Sequence, residues 1–329
     1  MIRVAINGFG RIGRTFTRAI QKHSNIELVA INDLTDAHTL AHLLKYDSIH
    51  RAFNGTVDSN TNELIINGKS VKIINEKEPK NLPWSALNID VVIESTGRFL
   101  TKELAMAHIE AGAKKVILSA PPKSDDIRTV VLGINDNTIV GSEQIISNAS
   151  CTTNAAAPLI KVLHDLYHIE SAYITTVHSY TSDQSLHDAP HKDLRRARAG
   201  ALSIIPTTTG AAKAITKIFP DLDGKLGGCG IRVPVPNGSL IDISVILKED
   251  TSVNAINNAF KEAADTYLKD ILEYTEDPVV SMDIVGNSHS CIFDSQLTSI
   301  TGHMVKIMGW YDNEMGYSNR LAELALKIS

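Results

Sequence analysis

The chain has 329 residues, 43% hydrophobic and 21% charged, the balance of a soluble globular protein with about two domains. Lysine plus arginine (32) against aspartate plus glutamate (37) leaves a net charge of −5, which argues against nucleic-acid or membrane-surface binding. A chain this long needs neither disulfide nor structural metal for its core, and its opening MIRVAINGFG carries no signal-peptide pattern, so a cytoplasmic protein is expected.

In chain order, Ile2–Asn7 reads as a buried strand, Ile12–Lys22 as a helix and Ile26–Asn32 as a second strand. A helical period follows at Asp36–Tyr46, a strand at Val91–Ser95, a helix at Thr101–Ala111, and strands at Lys115–Ala120, Thr129–Ile134 and Gln144–Ser147. These strands are apolar at consecutive positions, as strands covered on both faces are, and their alternation with helices predicts a parallel sheet of Rossmann-like α/β type.

The second half has a different texture. A helix is expected at Ala155–Tyr167, opened by the polar stretch Asn148–Asn154. Long strand-like stretches follow at Ile169–Tyr180, Ile231–Lys248 and Ser290–Tyr311, with a helix at Val253–Leu268. Long strands with few crossover helices predict an α+β domain with a mostly antiparallel sheet. The expected division is a dinucleotide-binding domain over 1–150, a catalytic domain over 151–316 and a C-terminal helix over 317–329 returning to the first domain.

Gly8, Gly10 and Gly13 form G-x-G-x-x-G between a strand and a helix. Asp33 ends the next strand, where a carboxylate accepts hydrogen bonds from an adenosine ribose. The glycines let backbone approach a pyrophosphate at the helix N-terminus, so a dinucleotide is expected. Arg11 reads either as added positive charge beside the pyrophosphate or as a solvated first-turn residue.

The three cysteines are an odd number with no C-x-x-C, which disfavours a disulfide framework or a cysteine-rich zinc site. Cys151 stands just before an apolar helical run. A thiol there feels the positive end of the helix dipole, and its pKa can fall from ~8.5 toward ~3.5–7.5, more so beside an imidazole. The competing reading is a buried, inert cysteine, which suits Cys229 and Cys291 better. Among the twelve histidines, His38/His42, His164/His168 and His187/His191 have i,i+4 spacing but no H-E-x-x-H glutamate, so no metal is expected. His178 ends an apolar strand and precedes Ser179, Tyr180 and Thr181, a setting suited to a catalytic base. The basic run His191–Arg198 reads as a solvated loop, a nucleic-acid patch or an anion site. Without interleaved aromatics on an acidic protein, the nucleic-acid reading is the weakest. Thr207–Gly210 and Arg232 add groups that grip phosphate. No G-x-S-x-G occurs, so a serine hydrolase is not supported.

Taken together, INGFGRIGR, AIND, LLKYDS, ESTGRF, ISNASCTTN, TTVHSYT, HKDLRRARAGA, IIPTTTGAAKA, RVPVPNGS and WYDNEMGYSNR closely resemble glyceraldehyde-3-phosphate dehydrogenases, in order and over essentially the whole chain. The resemblance implies that Cys151 is the nucleophile and His178 its base. It implies one phosphate site at Thr181, Arg196 and Arg232 and another at Ser150, Thr152, Thr209 and Gly210, with Arg195 competing with Arg196. It further implies NAD contacts at Arg11, Ile12, Asp33, Ser119 and Asn313, with Lys77 near the adenine. The implied reaction is phosphorylating oxidation of glyceraldehyde 3-phosphate with inorganic phosphate, through a thiohemiacetal and a thioester, in a homotetramer. An erythrose-4-phosphate dehydrogenase, which hydrolyses its thioester, is the nearest rival. A dinucleotide-binding interaction protein without catalysis is another. Four positions depart from the family pattern: Lys77, Ala155, Gly238 (usually Val) and Met315 (usually Trp). Pro190 lacks the hydroxyl that NADP-accepting members carry there, which favours NAD.

Overall fold

The runs read as doubly covered strands form the middle of a nine-stranded sheet. A computed structural model describes residues 1–329. Its chain divides into two units: Met1–Val130, Asn137–Ala149 and Ser318–Ser329 in one, Val131–Asp136 and Ser150–Tyr317 in the other. No helix is long and apolar enough to cross a membrane.

In the first unit, Ile2–Asn7 lies between Ile26–Asn32 and Val91–Glu94, parallel to both. The sheet continues past Ile26–Asn32 to Lys69–Ile74, and past Val91–Glu94 to Lys115–Leu118, Ile145–Ser147 and Arg128–Thr129, all in parallel pairs. Strand order therefore reverses at Ile2–Asn7, which opens a crevice at the carboxyl ends of the central strands. Ala5, Ala30, Val92, Val116 and Leu118 pack with Trp84 in the core beneath it. Helices Ala37–Lys45 and Lys102–Glu110 begin at Asp36 and Thr101, whose side chains accept the N–H groups of Thr39 and Leu104.

Three strands on the far edge, Val57–Ser59, Glu63–Ile66 and Lys69–Ile74, lay outside the predicted elements. They are short and carry charges on an open face, so they lack a long apolar run. Asn67-Gly68, both at positive φ, makes the tight turn between the last two and is the signal that marks them. The predicted strand Thr129–Ile134 shrinks to Arg128–Thr129. Beyond it, the side chains of Asn135 and Asp136 accept the N–H groups of Val131 and Gly133, which turns the backbone out of the ladder.

The second unit carries an eight-stranded mixed sheet, mostly antiparallel. The predicted stretch Ile231–Lys248 is two strands, Leu226–Val233 and Ser239–Leu247. Pro234 and Pro236 remove ladder donors between them, and Gly238 turns the chain at φ +86°. A Cβ at Gly238 would stand 2.2 Å from the Ser281 carbonyl oxygen, so the family's usual valine does not fit this backbone. The two strands flank Ile169–Ser179 on opposite sides, one parallel and one antiparallel. Ser290–Tyr311 likewise divides into Cys291–Asp294, Ser299–Thr301 and Met304–Tyr311. The expected helix at Ala155 begins earlier, at Cys151, because Ser150 Oγ accepts the Thr153 N–H at 3.1 Å and caps it.

Candidate functional site

In the first unit, the crevice is a cavity of about 860 Å³ lined by Asn7, Gly8, Gly10, Asn32, Asp33, Lys77 and Thr96, among others. Gly8 sits at φ +92°, and a Cβ there would lie 2.9 Å from the Thr96 nitrogen; only glycine allows the turn. A Cβ at Gly13 would meet the Gly8 carbonyl oxygen at 2.5 Å, so this glycine lets helix Arg11–Ala19 close on the strand. Gly10, the residue before that helix, has open space where a Cβ would stand. Asp33 accepts the Phe9 and Thr35 N–H groups at 2.8 and 2.9 Å, which fixes its carboxylate at the strand end. Glycine backbone at a helix start with a fixed carboxylate beside it fits a dinucleotide.

Arg11, Ile12, Gly13 and Ser119 stand outside the cavity lining. Arg11 is turned to Asp47, at 2.6 Å. Although burial works the other way, the His50 N–H and the Arg11 guanidinium hold the Asp47 carboxyl down to about 2. Ser119 follows Lys115–Leu118, and its N–H donates to the Glu94 carbonyl at 3.0 Å.

A buried chain of polar groups supports the cavity floor, and none of its links was singled out from sequence. Trp84 Nε1 donates to His108 Nδ1 at 3.0 Å. An indole N–H only donates, so the His108 proton sits on Nε2, facing Glu94 at 3.1 Å. Asn7 also donates to Glu94, at 2.6 Å, and its carbonyl accepts from Asn32 at 2.7 Å. The ESTGRF segment contained Glu94, but its partners are distant in sequence.

In the second unit, Cys151 opens helix Cys151–Tyr167 and its Sγ lies 3.5 Å from His178 Nε2. His178 stands near the end of Ile169–Ser179, and parallel register sets it beside Arg232. Arg232 Nη1 approaches His178 Nδ1 at 2.6 Å and donates to the Ser179 carbonyl at 2.9 Å. An arginine N–H cannot accept, so this contact puts the ring proton on Nε2, toward the sulfur. The Ser179 carbonyl, 2.7 Å from Nδ1, is the acceptor for the other tautomer, in which Nε2 is free to take a proton.

Burial, and then the Arg232 charge, hold His178 down to about 3. Burial pushes the Cys151 thiol up, against the lowering pull of Arg232. This corrects the expectation of a lowered thiol pKa. The imidazole that was to stabilise a thiolate is itself kept neutral by burial and then by Arg232, and a neutral ring offers the sulfur no cation.

Arg196 donates to Asp183 at 2.8 Å and Thr207 at 2.9 Å, and its charge acts on both His178 and Arg232. The side chain of Arg195 is exposed. Thr181 lies beyond the end of the His178 strand, and its carbonyl accepts the Gln184 N–H. Thr152 turns its hydroxyl inward to Tyr311 Oη at 3.1 Å, and Tyr311 also meets Thr176 and stands edge-on to His178. Tyr311 lay in the quoted WYDNE segment, but its place beneath the imidazole comes from pairing with Ser239–Leu247. Thr209 Oγ1 accepts the Ala211 N–H at 3.2 Å, with Gly210 between them as the N-cap of helix Ala211–Ile218. A Cβ at Gly228 would lie 2.9 Å from the Ile174 carbonyl oxygen, so glycine lets Leu226–Val233 run close against Ile169–Ser179. Asn313 lies beyond the end of Met304–Tyr311, beside Ser179 and Ser239. The structure thus joins Cys151, His178 and Arg232 directly, with Arg196 near the latter two. No group of three or more histidine, cysteine or acidic side chains is arranged to hold a metal ion.

Residues 2–102 match the family model described as glyceraldehyde 3-phosphate dehydrogenase, NAD binding domain, and residues 150–313 match the C-terminal domain of the same description. The chain is 53% identical over 330 residues to a glyceraldehyde-3-phosphate dehydrogenase of Geobacillus stearothermophilus, covering 100% of this chain and 98% of that protein. It is 54% identical to the protein of that name from Borreliella burgdorferi, covering 99% of each chain. Identity to the Mycobacterium avium protein is also 54%, covering 99% of this chain and 98% of that one.

Proposed function

This chain belongs to the glyceraldehyde-3-phosphate dehydrogenase family, NAD-dependent oxidoreductases of glycolysis, and from that premise we propose that Cys151 and His178 carry the phosphorylating oxidation of D-glyceraldehyde 3-phosphate to 1,3-bisphosphoglycerate. The observation that supports this most directly is the 3.5 Å approach of Cys151 Sγ to His178 Nε2 at a helix start. In this reading 1–150 holds the cofactor, 151–316 carries the chemistry and 317–329 returns to the first domain. Gly8, Gly10, Arg11, Ile12, Gly13, Asp33, Lys77, Ser119 and Asn313 contact NAD, which supplies the hydride acceptor when bound.

The sulfur of Cys151 bonds to the aldehyde carbon, and the carbonyl oxygen takes a proton to give a thiohemiacetal. Oxidation then removes the C–H as hydride while His178 Nε2 takes the hydroxyl proton, leaving a thioester. Inorganic phosphate attacks the thioester carbon. The C–S bond breaks, acyl phosphate leaves, and the departing sulfur of Cys151 takes the proton held on His178 Nε2, which restores the thiol and the neutral base. Thr181, Arg196 and Arg232 hold one phosphate, and Ser150, Thr152, Thr209 and Gly210 the other. An anion on Arg232 competes for the guanidinium that now meets Nδ1, which frees that nitrogen to donate to the Ser179 carbonyl and leaves Nε2 as the base.

A steady-state assay with glyceraldehyde 3-phosphate and erythrose 4-phosphate, varied phosphate and both cofactors tests the assignment. Turnover on the triose should require phosphate and yield an acyl phosphate. Beside Asp33, a 2′-phosphate ~4 Å away costs about 1 kcal/mol in bulk water and about 4 at an effective dielectric of 20. NAD should therefore exceed NADP in kcat/KM by roughly one to three orders of magnitude. Phosphate-independent turnover favouring the tetrose would instead identify the hydrolysing rival.

The protein works as a cytoplasmic homotetramer. Leu186, Leu194, Leu202 and Ile204, in and beside the basic loop, are 76, 81, 79 and 70% exposed, an apolar set suited to a neighbouring copy of the chain. A reducing compartment keeps the working thiol free. Sedimentation at micromolar concentration should give a particle of roughly four chains; a monomer there would refute the assembly.

A further inference from the structure

Glu94 ends the strand Val91–Glu94, is 0% exposed and stands outside the cavity lining, yet it holds residues of that lining on both flanks of the central strand Ile2–Asn7. On one flank, Glu94 Oε1 accepts the Thr96 N–H at 2.8 Å and the Thr96 hydroxyl at 2.5 Å. Toward the other, Oε2 accepts from Asn7 Nδ2 at 2.6 Å, and Asn7 Oδ1 accepts from Asn32 Nδ2 at 2.7 Å. Asn32 then brackets the backbone of Glu76, accepting its N–H and donating to its carbonyl, both at 2.9 Å. Asn7, Asn32, Glu76 and Thr96 all line the cavity.

The ends of these chains set the direction of every hydrogen bond. The Glu76 N–H can only donate, so Asn32 Oδ1 faces it and Asn32 Nδ2 is the donor to Asn7. Asn7 must then turn Oδ1 to Asn32 and Nδ2 to Glu94. Thr96 Oγ1 accepts the Arg98 N–H at 3.1 Å, which leaves its one proton for Glu94. Trp84 makes His108 a donor from Nε2, outside the cavity. All three chains run toward Glu94, and four donors meet its two oxygens. A buried acceptor of this capacity calls for a carboxylate, because an amide would turn N–H groups toward two of those donors.

We propose that Glu94 is a positioning residue for the cofactor: as the common acceptor, it fixes the spacing between the 76–78 segment and the 96–98 turn, the walls between which the adenosine half of NAD is seated. This rests on the assignment of that cavity to NAD. Glu94 touches neither the cofactor nor the thiol, so its loss should act on affinity and leave the chemistry of Cys151 and His178 as it is.

The test measures binding to the full chain by calorimetry. Glu94→Gln should weaken NAD, NADH and ADP-ribose alike, each Kd rising roughly tenfold. An equal shift for the three separates positioning from simple loss of a charge, which would act more on the cationic ring of NAD than on the other two. In turnover, KM for NAD should rise by the same factor, with kcat at saturating NAD within about twofold of the wild type. Reversing the donors supplies a rescue that a space-filling role would not give. Asn7→Asp alone sets two carboxylates together and should also weaken binding. Combined with Glu94→Gln, it moves the acceptor to position 7, within reach of Asn32 Nδ2, the new amide at 94 and His108 Nε2, which lies 3.5 Å from the Asn7 amide nitrogen. This double variant should return each Kd to within roughly threefold of the wild type, and it decides alone if Glu94→Gln fails to fold. Wild-type Kd values in Glu94→Gln, a loss confined to NAD, or a double variant that does not fold or binds no better than the single ones overturns the proposal. Failure of the cavity assignment looks different: Asp33→Ala would then bind NAD as the wild type does.

Discussion

Cys151→Ala should retain NAD binding and lose aldehyde oxidation to below about a hundredth of wild-type turnover, the loss expected when the atom that forms the covalent intermediate is removed. No neighbouring group replaces the sulfur. Ser150 Oγ is engaged at the helix cap, and Thr152 Oγ1 meets Tyr311. Cofactor binding should survive because Asp33 and the glycine turn line a cavity in the other unit. Alkylation supplies a second measure. Loss of activity should track modification of Cys151, since Cys291 is fully buried with its thiol pushed up and Cys229 lies within a strand. Turnover above a hundredth in the alanine variant, measured with a NADH burst, would show that the thioester route is wrong.

His178→Asn should keep the fold and slow oxidation by ~10²–10⁴-fold, the usual range for losing a general base. The pH dependence tells this role apart from a structural one. With its pKa held down to about 3, His178 is neutral at every working pH above ~4, so it is available as a base throughout. The free enzyme's kcat/KM should then rise with pH through the neutral range, following the raised Cys151 thiol, rather than fall away below an imidazole pKa near 6.5. Arg232 is the electrostatic cause. Arg232→Gln should move the thiol and the imidazole both upward, because its charge now pulls both down. An acid limb near pH 6.5 in the wild type, absent in His178→Asn, would contradict this account of the resting pair.

Local pattern was enough for the central parallel strands, the glycine turn and Asp33, because these depend on short-range rules: consecutive apolar residues, glycine where backbone must come close, a carboxylate at a strand end. Cys151 before an apolar helical run and His178 near a strand end were legible for the same reason. Local pattern failed where side chains or prolines compete with a ladder. Thr129–Ile134 turns out of the sheet, and Ile231–Lys248 breaks at Pro234 and Pro236.

Fold class and family were legible in motif and pattern, which also singled out Cys151 and His178 as candidates for the chemistry. The protonation and orientation of those side chains depend on neighbours that the folded chain brings from far along the sequence. Arg232 lies 54 residues from His178, yet parallel register sets its charge beside the imidazole, and burial, not a local pattern, pushes the Cys151 thiol up. Ser239 and Asn313 reach Ser179 across 60 and 134 residues, and Trp84 fixes the His108 tautomer across 24. Hydrogen-bond direction and desolvation depend on what surrounds a group in space, and strand register, which no local pattern contains, sets those neighbours.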